Sequence, residues 1–66
     1  MNILLNGKTT TLEKTCTLEA LLDFFKFDRP SIAVAVNFSV ITRSEFPNIT
    51  IKDGDTVEIL NPTAGG

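Results

Sequence analysis

The residues with the most evident chemical potential stand at the end of the chain, Ala64-Gly65-Gly66. Gly66 offers an unhindered α-carboxylate there. Two glycines can also thread a channel too narrow for a side chain, because glycine reaches backbone angles closed to other residues. A carboxylate becomes a good electrophile only when activated, for example as an acyl-adenylate, and its carbon then accepts sulfur or an amine. A bland reading stands beside this one. Chain ends are commonly frayed and rich in small residues, and at ~7% glycine usage a random chain ends in Gly-Gly roughly 0.5% of the time. The tail by itself leaves both readings open.

Other reactive residues are few. Cys16 offers a thiol, a candidate to carry sulfur as a persulfide, and a helix N-terminus nearby would lower its pKa. With no basic neighbour in the sequence, a small buried hydrophobe is the expected role. Asp53 and Asp55 suggest calcium only superficially, since an EF-hand needs more ligands over its longer loop; Asp53-Gly54 reads as a tight turn. Arg43 is a candidate for contact with a partner enzyme, or it pairs with Glu45 or an aspartate at the surface, the reading we favour. No metal site is expected.

Composition narrows the function classes. Sixty-six residues make one domain, near the lower limit for a core that folds without staples. The chain has no histidine, which removes Ser-His-Asp and Cys-His catalysis and the commonest general base and zinc ligand. A net charge of −2 without a basic stripe counts against nucleic acid. No apolar run approaches the ~20 residues that span a bilayer, and the first residues lack the basic region of a signal peptide. The single cysteine cannot form an internal disulfide, in keeping with a reducing compartment. These observations predict a cytoplasmic protein that is a substrate or partner of enzymes rather than an enzyme.

The elements that must position the tail follow from periodicity. Met1, Ile3 and Leu5 alternate with Asn2, Leu4 and Asn6, and Asn6-Gly7 is the strongest short signal for a type I′ hairpin returning through Lys8–Leu12. From Thr17, an N-cap, the period changes: Leu18, Leu21, Leu22 and Phe25 form one helical stripe. Phe24 and Phe27 flank that stripe, and Asp28-Arg29-Pro30 ends the helix. Residues 31–36 read as a strand with Ile32, Val34 and Val36 on one face. Ala33 and Ala35 lie on the other, where they make room for a close neighbour. Asn37-Phe38-Ser39 is a turn that leaves Phe38 exposed, Val40-Ile41 a short strand, residues 42–48 irregular around Pro47, and 49–51 a short extended piece. After the turn Asp53-Gly54-Asp55 comes the last strand, Thr56–Leu60, with Val57 and Ile59 facing the helix and Glu58 and Leu60 outward. Pro62 stops it. Leu4 and Leu60 then place apolar side chains on the open sheet face, and a contiguous patch there beside the tail would mark a docking surface. The predicted class is two-layer α+β, residues 1–60 as the domain and 61–66 as a flexible C-terminal tail.

In this order and spacing the chain resembles the ubiquitin-like β-grasp fold, with a mixed sheet packed on one helix. More narrowly, it resembles the ThiS family of sulfur carriers of thiamine biosynthesis. The residues that carry the likeness are Ile3-Leu4-Leu5-Asn6-Gly7, Thr17-Leu18-Glu19-Ala20-Leu21-Leu22, Ala33-Val34-Ala35-Val36-Asn37, Thr42-Arg43-Ser44-Glu45-Phe46, 52–59 and Ala64-Gly65-Gly66. The resemblance implies that Gly66 is the site of adenylation and sulfur attachment and that Gly65 and Ala64 are recognised in the tail. It also implies partners: a ThiF-like activating enzyme using ATP and Mg, a cysteine desulfurase as sulfur source, and a ThiG-like thiazole synthase as acceptor. The resemblance further implies a carrier that holds no cofactor beyond a covalent thiocarboxylate and that is a monomer when free. Leu4, Leu60, Phe38 and Arg43 are the candidate docking residues. Pro62 departs from the ThiS pattern and is similar to the proline-rich end of the molybdopterin synthase small subunit. Carriage of sulfur to molybdopterin or another pathway, and modification of proteins through an isopeptide bond, therefore stay open as alternatives. A non-covalent interaction domain with incidental terminal glycines stays open too.

Overall fold

Asn6-Gly7 turns the chain as its sequence requires. In the computed structural model, which describes residues 1–27 and 32–60, Asn6 and Gly7 have φ of 52° and 79°. Both are left-handed, as a type I′ turn demands. Strands β1 (Asn2–Leu5) and β2 (Lys8–Thr11) therefore pair antiparallel, with Leu5 opposite Lys8. Ile3 is buried, and Met1 and Leu5 pack half-buried beside it, as their alternation predicted.

A two-residue strand that the sequence did not announce, β3 (Cys16–Thr17), leads into helix α1 (Leu18–Phe24). Thr17 caps the helix as expected, its Oγ1 accepting the Ala20 N–H at 3.1 Å. Leu18, Leu21 and Leu22 are fully buried. The helix then stops well before the Asp28-Arg29-Pro30 sequence expected to end it, a segment that lies, with Ser31, outside the described residues. The cause is local. Lys26 takes φ of 61°, Lys26 N–H bonds to Asp23 O at 3.1 Å, and Phe27 N–H bonds to Leu22 O at 2.9 Å. That pair of bonds is a Schellman motif with lysine in the position that usually holds glycine. At ~100° per residue, a continued helix would carry Phe27 to the face opposite Leu18; the turn folds it back against the core instead. Phe25, expected as the fourth residue of the stripe, sits at the C-cap, and Phe24 is 72% exposed.

The rest of the chain builds the sheet under the helix. Strands β4 (Ala33–Val36) and β5 (Ser39–Ile41) form a second hairpin with Val36 opposite Ser39. Residues 42–48, read from sequence as irregular, contain a 3-10 helix, Arg43–Asn48, that drives Phe46 into the core. Its single anchor explains why no hydrophobic period signalled it. β6 (Thr50–Ile51) pairs with β3 as a separate two-stranded ribbon and contributes the fully buried Ile51. β7 (Thr56–Leu60) then inserts between β1 and β4, parallel to the first and antiparallel to the second. The five-stranded order is β2-β1-β7-β4-β5. Val57 and Ile59 face the helix and are buried, as predicted, while Glu58 and Leu60 face outward. Among the described residues no helix is long and apolar enough to cross a membrane.

Candidate functional site

The tail leaves from Leu60, so the site begins with what fixes the end of β7. The parallel register with β1 runs only through Leu4–Thr56 and Leu5–Val57, because β1 ends where the hairpin turns. Asn6 continues the ladder by other means. Its backbone N–H bonds to Val57 O at 2.9 Å, and its side-chain Oδ1 accepts the Ile59 N–H at 2.7 Å. The left-handed turn residue is thus also the clamp on the residue next to the tail's root. On the other side, β4 pairs with β7 as far as Ala33–Leu60. Gly66, Gly65 and Ala64, the residues expected to be activated and recognised, lie outside the described residues, as does Pro62.

The expected docking residues are divided between the two ends of the sheet. Leu60 is at the tail end; Arg43 belongs there too, since β5 runs toward that end before the 3-10 helix begins. Leu4 pairs with Thr56, and Phe38 sits in the β4–β5 turn beside it, where Asn37 N–H bonds to Thr56 O. Thr56 and Leu60 are four residues apart on one strand, roughly 13 Å at ~3.3 Å per residue. Leu4 and Leu60 therefore do not form the contiguous patch anticipated from sequence. What joins Leu60 instead is Val40, across Ala33 and Ala35. The alanines make room as expected, but on the open face: they floor a shallow groove rather than admit another element. Their alternation in β4 was the signal by which the groove might have been found.

The β4–β5 turn carries its aromatic at a cost. Asn37 and Phe38 have φ of 50° and 69°, a second type I′ turn in which phenylalanine occupies a position suited to glycine. Left-handed backbone costs a residue with a Cβ about 1 kcal/mol, and Phe38, 81% exposed, recovers little by burial. Asn37 anchors the turn, its Oδ1 accepting Thr56 N–H at 2.9 Å and its Nδ2 donating to Asp55 Oδ1 at 3.0 Å. Replacing Phe38 with glycine is expected to stabilise the domain by about 1 kcal/mol in urea unfolding. A loss of stability instead would mean that the ring packs on the fold.

The remaining candidates resolve into structural roles. Asp55 Oδ2 accepts Lys52 N–H at 2.8 Å and Asp53 Oδ1 accepts Asn2 N–H at 2.6 Å, so both carboxylates brace the turn at Gly54 (φ 88°). Cys16 is half-buried in β3 against the core, and desolvation raises its thiol above the ordinary pKa. That is the reverse of what an attacking or persulfide-bearing thiol needs. Arg43 and Glu45 are exposed and form no ion pair with each other, which removes one of the two partners, Glu45 or an aspartate, favoured from sequence. Among the described residues no cluster of three potential metal ligands occurs.

A family model for the ThiS family matches residues 3–66, reaching through the terminal glycines. The chain belongs to the ThiS family. ThiS proteins are small sulfur carriers and not enzymes, and the chain is a carrier of that kind. Its architecture agrees with that of known ThiS proteins. The crystal structure of the thiamine biosynthesis protein ThiS from Geobacter metallireducens superposes with a TM-score of 0.85, at 35% identity over 91% of each chain. The solution structure of a thiamine biosynthesis protein from the same organism gives 0.78 at 35% identity, over 91% of this chain and 81% of that one. The α+β β-grasp expectation, a mixed sheet on one helix, is therefore met. Among curated relatives, a thiazole synthase from Paramagnetospirillum magneticum is 30% identical over all 66 residues, and this ThiS-family chain spans only 20% of its length. An uncharacterized protein, ycf40, of Porphyra purpurea is 29% identical over the same residues, 93% of its own length.

Proposed function

We propose that the chain delivers sulfur for thiazole formation in thiamine biosynthesis as a thiocarboxylate on Gly66. A ThiF-like activating enzyme presents ATP with Mg, and a Gly66 carboxylate oxygen attacks the α-phosphorus, expelling pyrophosphate. The terminal sulfur of a desulfurase-derived persulfide then attacks the acyl carbon, and AMP leaves with the C–O bond electrons. A second thiol cleaves the resulting S–S bond, which releases a disulfide and leaves the thiocarboxylate. A ThiG-like thiazole synthase accepts that sulfur.

The observation that carries this reading is the family match running through Gly66, on a domain whose central strand leads directly into the tail. The choice of thiazole as destination is supported by the thiazole synthase of P. magneticum, which contains a segment similar to the whole of this chain. The protein supplies a docking body and a reactive end, and its lack of histidine matches a division of labour in which the enzymes provide the catalytic groups.

The test is intact mass after incubation with ATP, Mg, the activating enzyme, a cysteine desulfurase and cysteine. The expected product is heavier by the exchange of one oxygen for sulfur, and a chain lacking Gly66 gains nothing. Unchanged mass with an enzyme competent on another carrier, or Gly66 found joined to a lysine of another protein, would sink the proposal.

A further inference from the structure

The groove beside the tail's root has an unusual lining for an exposed sheet face. Ala33, Ala35 and Val40 with Leu60 make it apolar, and Glu58 stands on its wall. Its volume is about 130 Å³, on the scale of a side chain. That admits one side chain and not a folded segment. Glu58 is opposite Ala35 in the β4–β7 register, and Ala35 is opposite Val40 in the β4–β5 register. Alternation puts no lysine or arginine of the described strands on this face, and the Glu58 carboxylate makes no hydrogen bond or ion pair with a described residue. A surface that covers the groove must therefore either strand a carboxylate out of water or supply its counter-charge, and a stranded charge is strongly unfavourable.

We infer that the groove receives a cationic side chain, an arginine or lysine, from the activating enzyme, with its apolar stem over Ala35 and Val40 and its head paired to Glu58. Arginine and lysine have this division between apolar stem and charged tip. The occupant is the activating enzyme because Leu60 lines the groove and the chain passes from it directly into residues 61–66. Six residues span at most roughly 20 Å, so an enzyme that holds Gly66 must dock near Leu60. The inference rests on the adenylation proposed above and adds what recognises the body of the carrier.

The experiment measures binding and pyrophosphate release with the activating enzyme for the full-length chain, Glu58→Gln and Glu58→Lys. Glu58→Lys is expected to weaken binding about tenfold or more and Glu58→Gln by less, with the change in KM and not in kcat. Raising salt from about 0.05 M to about 0.3 M should weaken wild-type binding more than that of Glu58→Gln, an ionic signature that a packing role would not produce. Phe24→Ala, on the helix, is the control for general surface change and should bind as wild type does. Adenylation of wild type with Glu58→Lys equal to it overturns the groove pairing alone. A wild type that the enzyme cannot adenylate overturns the functional reading and this inference together. Concentration-dependent dimerisation lost in Glu58→Lys would assign the groove to a second copy of the chain and overturn the inference.

Discussion

Gly65→Val is expected to leave the unfolding midpoint unchanged and to slow thiocarboxylate formation about a hundredfold or more. The first half follows from the core: every residue of the described buried cluster lies between Ile3 and Ile59. The second half follows from reach. An activating enzyme must bring the Gly66 carboxylate in line with an ATP α-phosphorus, and an ångström of misplacement can cost ~10²-fold in rate. A β-branched side chain next to the reacting residue restricts the backbone and widens the segment that has to pass the channel. Pyrophosphate release and intact mass measure the loss; urea titration checks the fold. A valine variant loaded at the wild-type rate would show that no narrow channel reads this end of the chain. Gly65→Ala should fall between the two, because it adds a Cβ without branching.

The second large effect is expected in the core. Leu22 is 0% exposed and sits among Leu18, Leu21, Val34, Phe46, Ile51 and Val57 in one cluster. Leu22→Ala removes the side chain and leaves a cavity, at a cost of about 2–5 kcal/mol. A domain of this length has a total stability of roughly 3–10 kcal/mol. The substitution therefore removes a large share of it, lowering the thermal midpoint by roughly 10–30 °C. Leu22 also holds the helix end, since its carbonyl accepts Phe27 N–H in the Schellman turn. A drop of only a few degrees would mean that Phe27 or a neighbouring residue collapses into the space.

The first hairpin and the last strand were legible because each has a strict local cause. Asn6-Gly7 dictates a turn type, and the alternation of Val57 and Ile59 with Glu58 and Leu60 dictates a face. Three features were not legible. The helix end is set by Lys26 in a left-handed conformation, a residue that gives no stop signal in sequence. The β3–β6 ribbon is two residues on each side, too short for periodicity to register. The 3-10 helix is announced by Phe46 alone. For the site, the sequence placed Leu60 and Glu58 on the open face but grouped Leu60 with Leu4; pairing of β1 with β7 at Thr56 separates them, and only the register could reveal that. The alanines of β4 were recognised as space-making, yet which neighbour they admit depended on the face being open.

The position of β7 has a consequence for biogenesis. The last strand of the described chain in sequence is the middle strand of the sheet, and its parallel neighbour is the first. During synthesis, the β1–β2 hairpin and the β4–β5 hairpin emerge as two halves with no hydrogen-bonded contact between their strands. Parallel pairing across nearly the whole chain is slow to form. The halves can join only after residues 56–60 have left the ribosome, and the Asn6 bond to Ile59 is part of that joining. A nascent chain truncated before β7 lacks the strand that joins the two halves of the sheet. A folded body thus reports that translation has reached the root of the tail, so the state an enzyme can grip is withheld from fragments that could never carry sulfur.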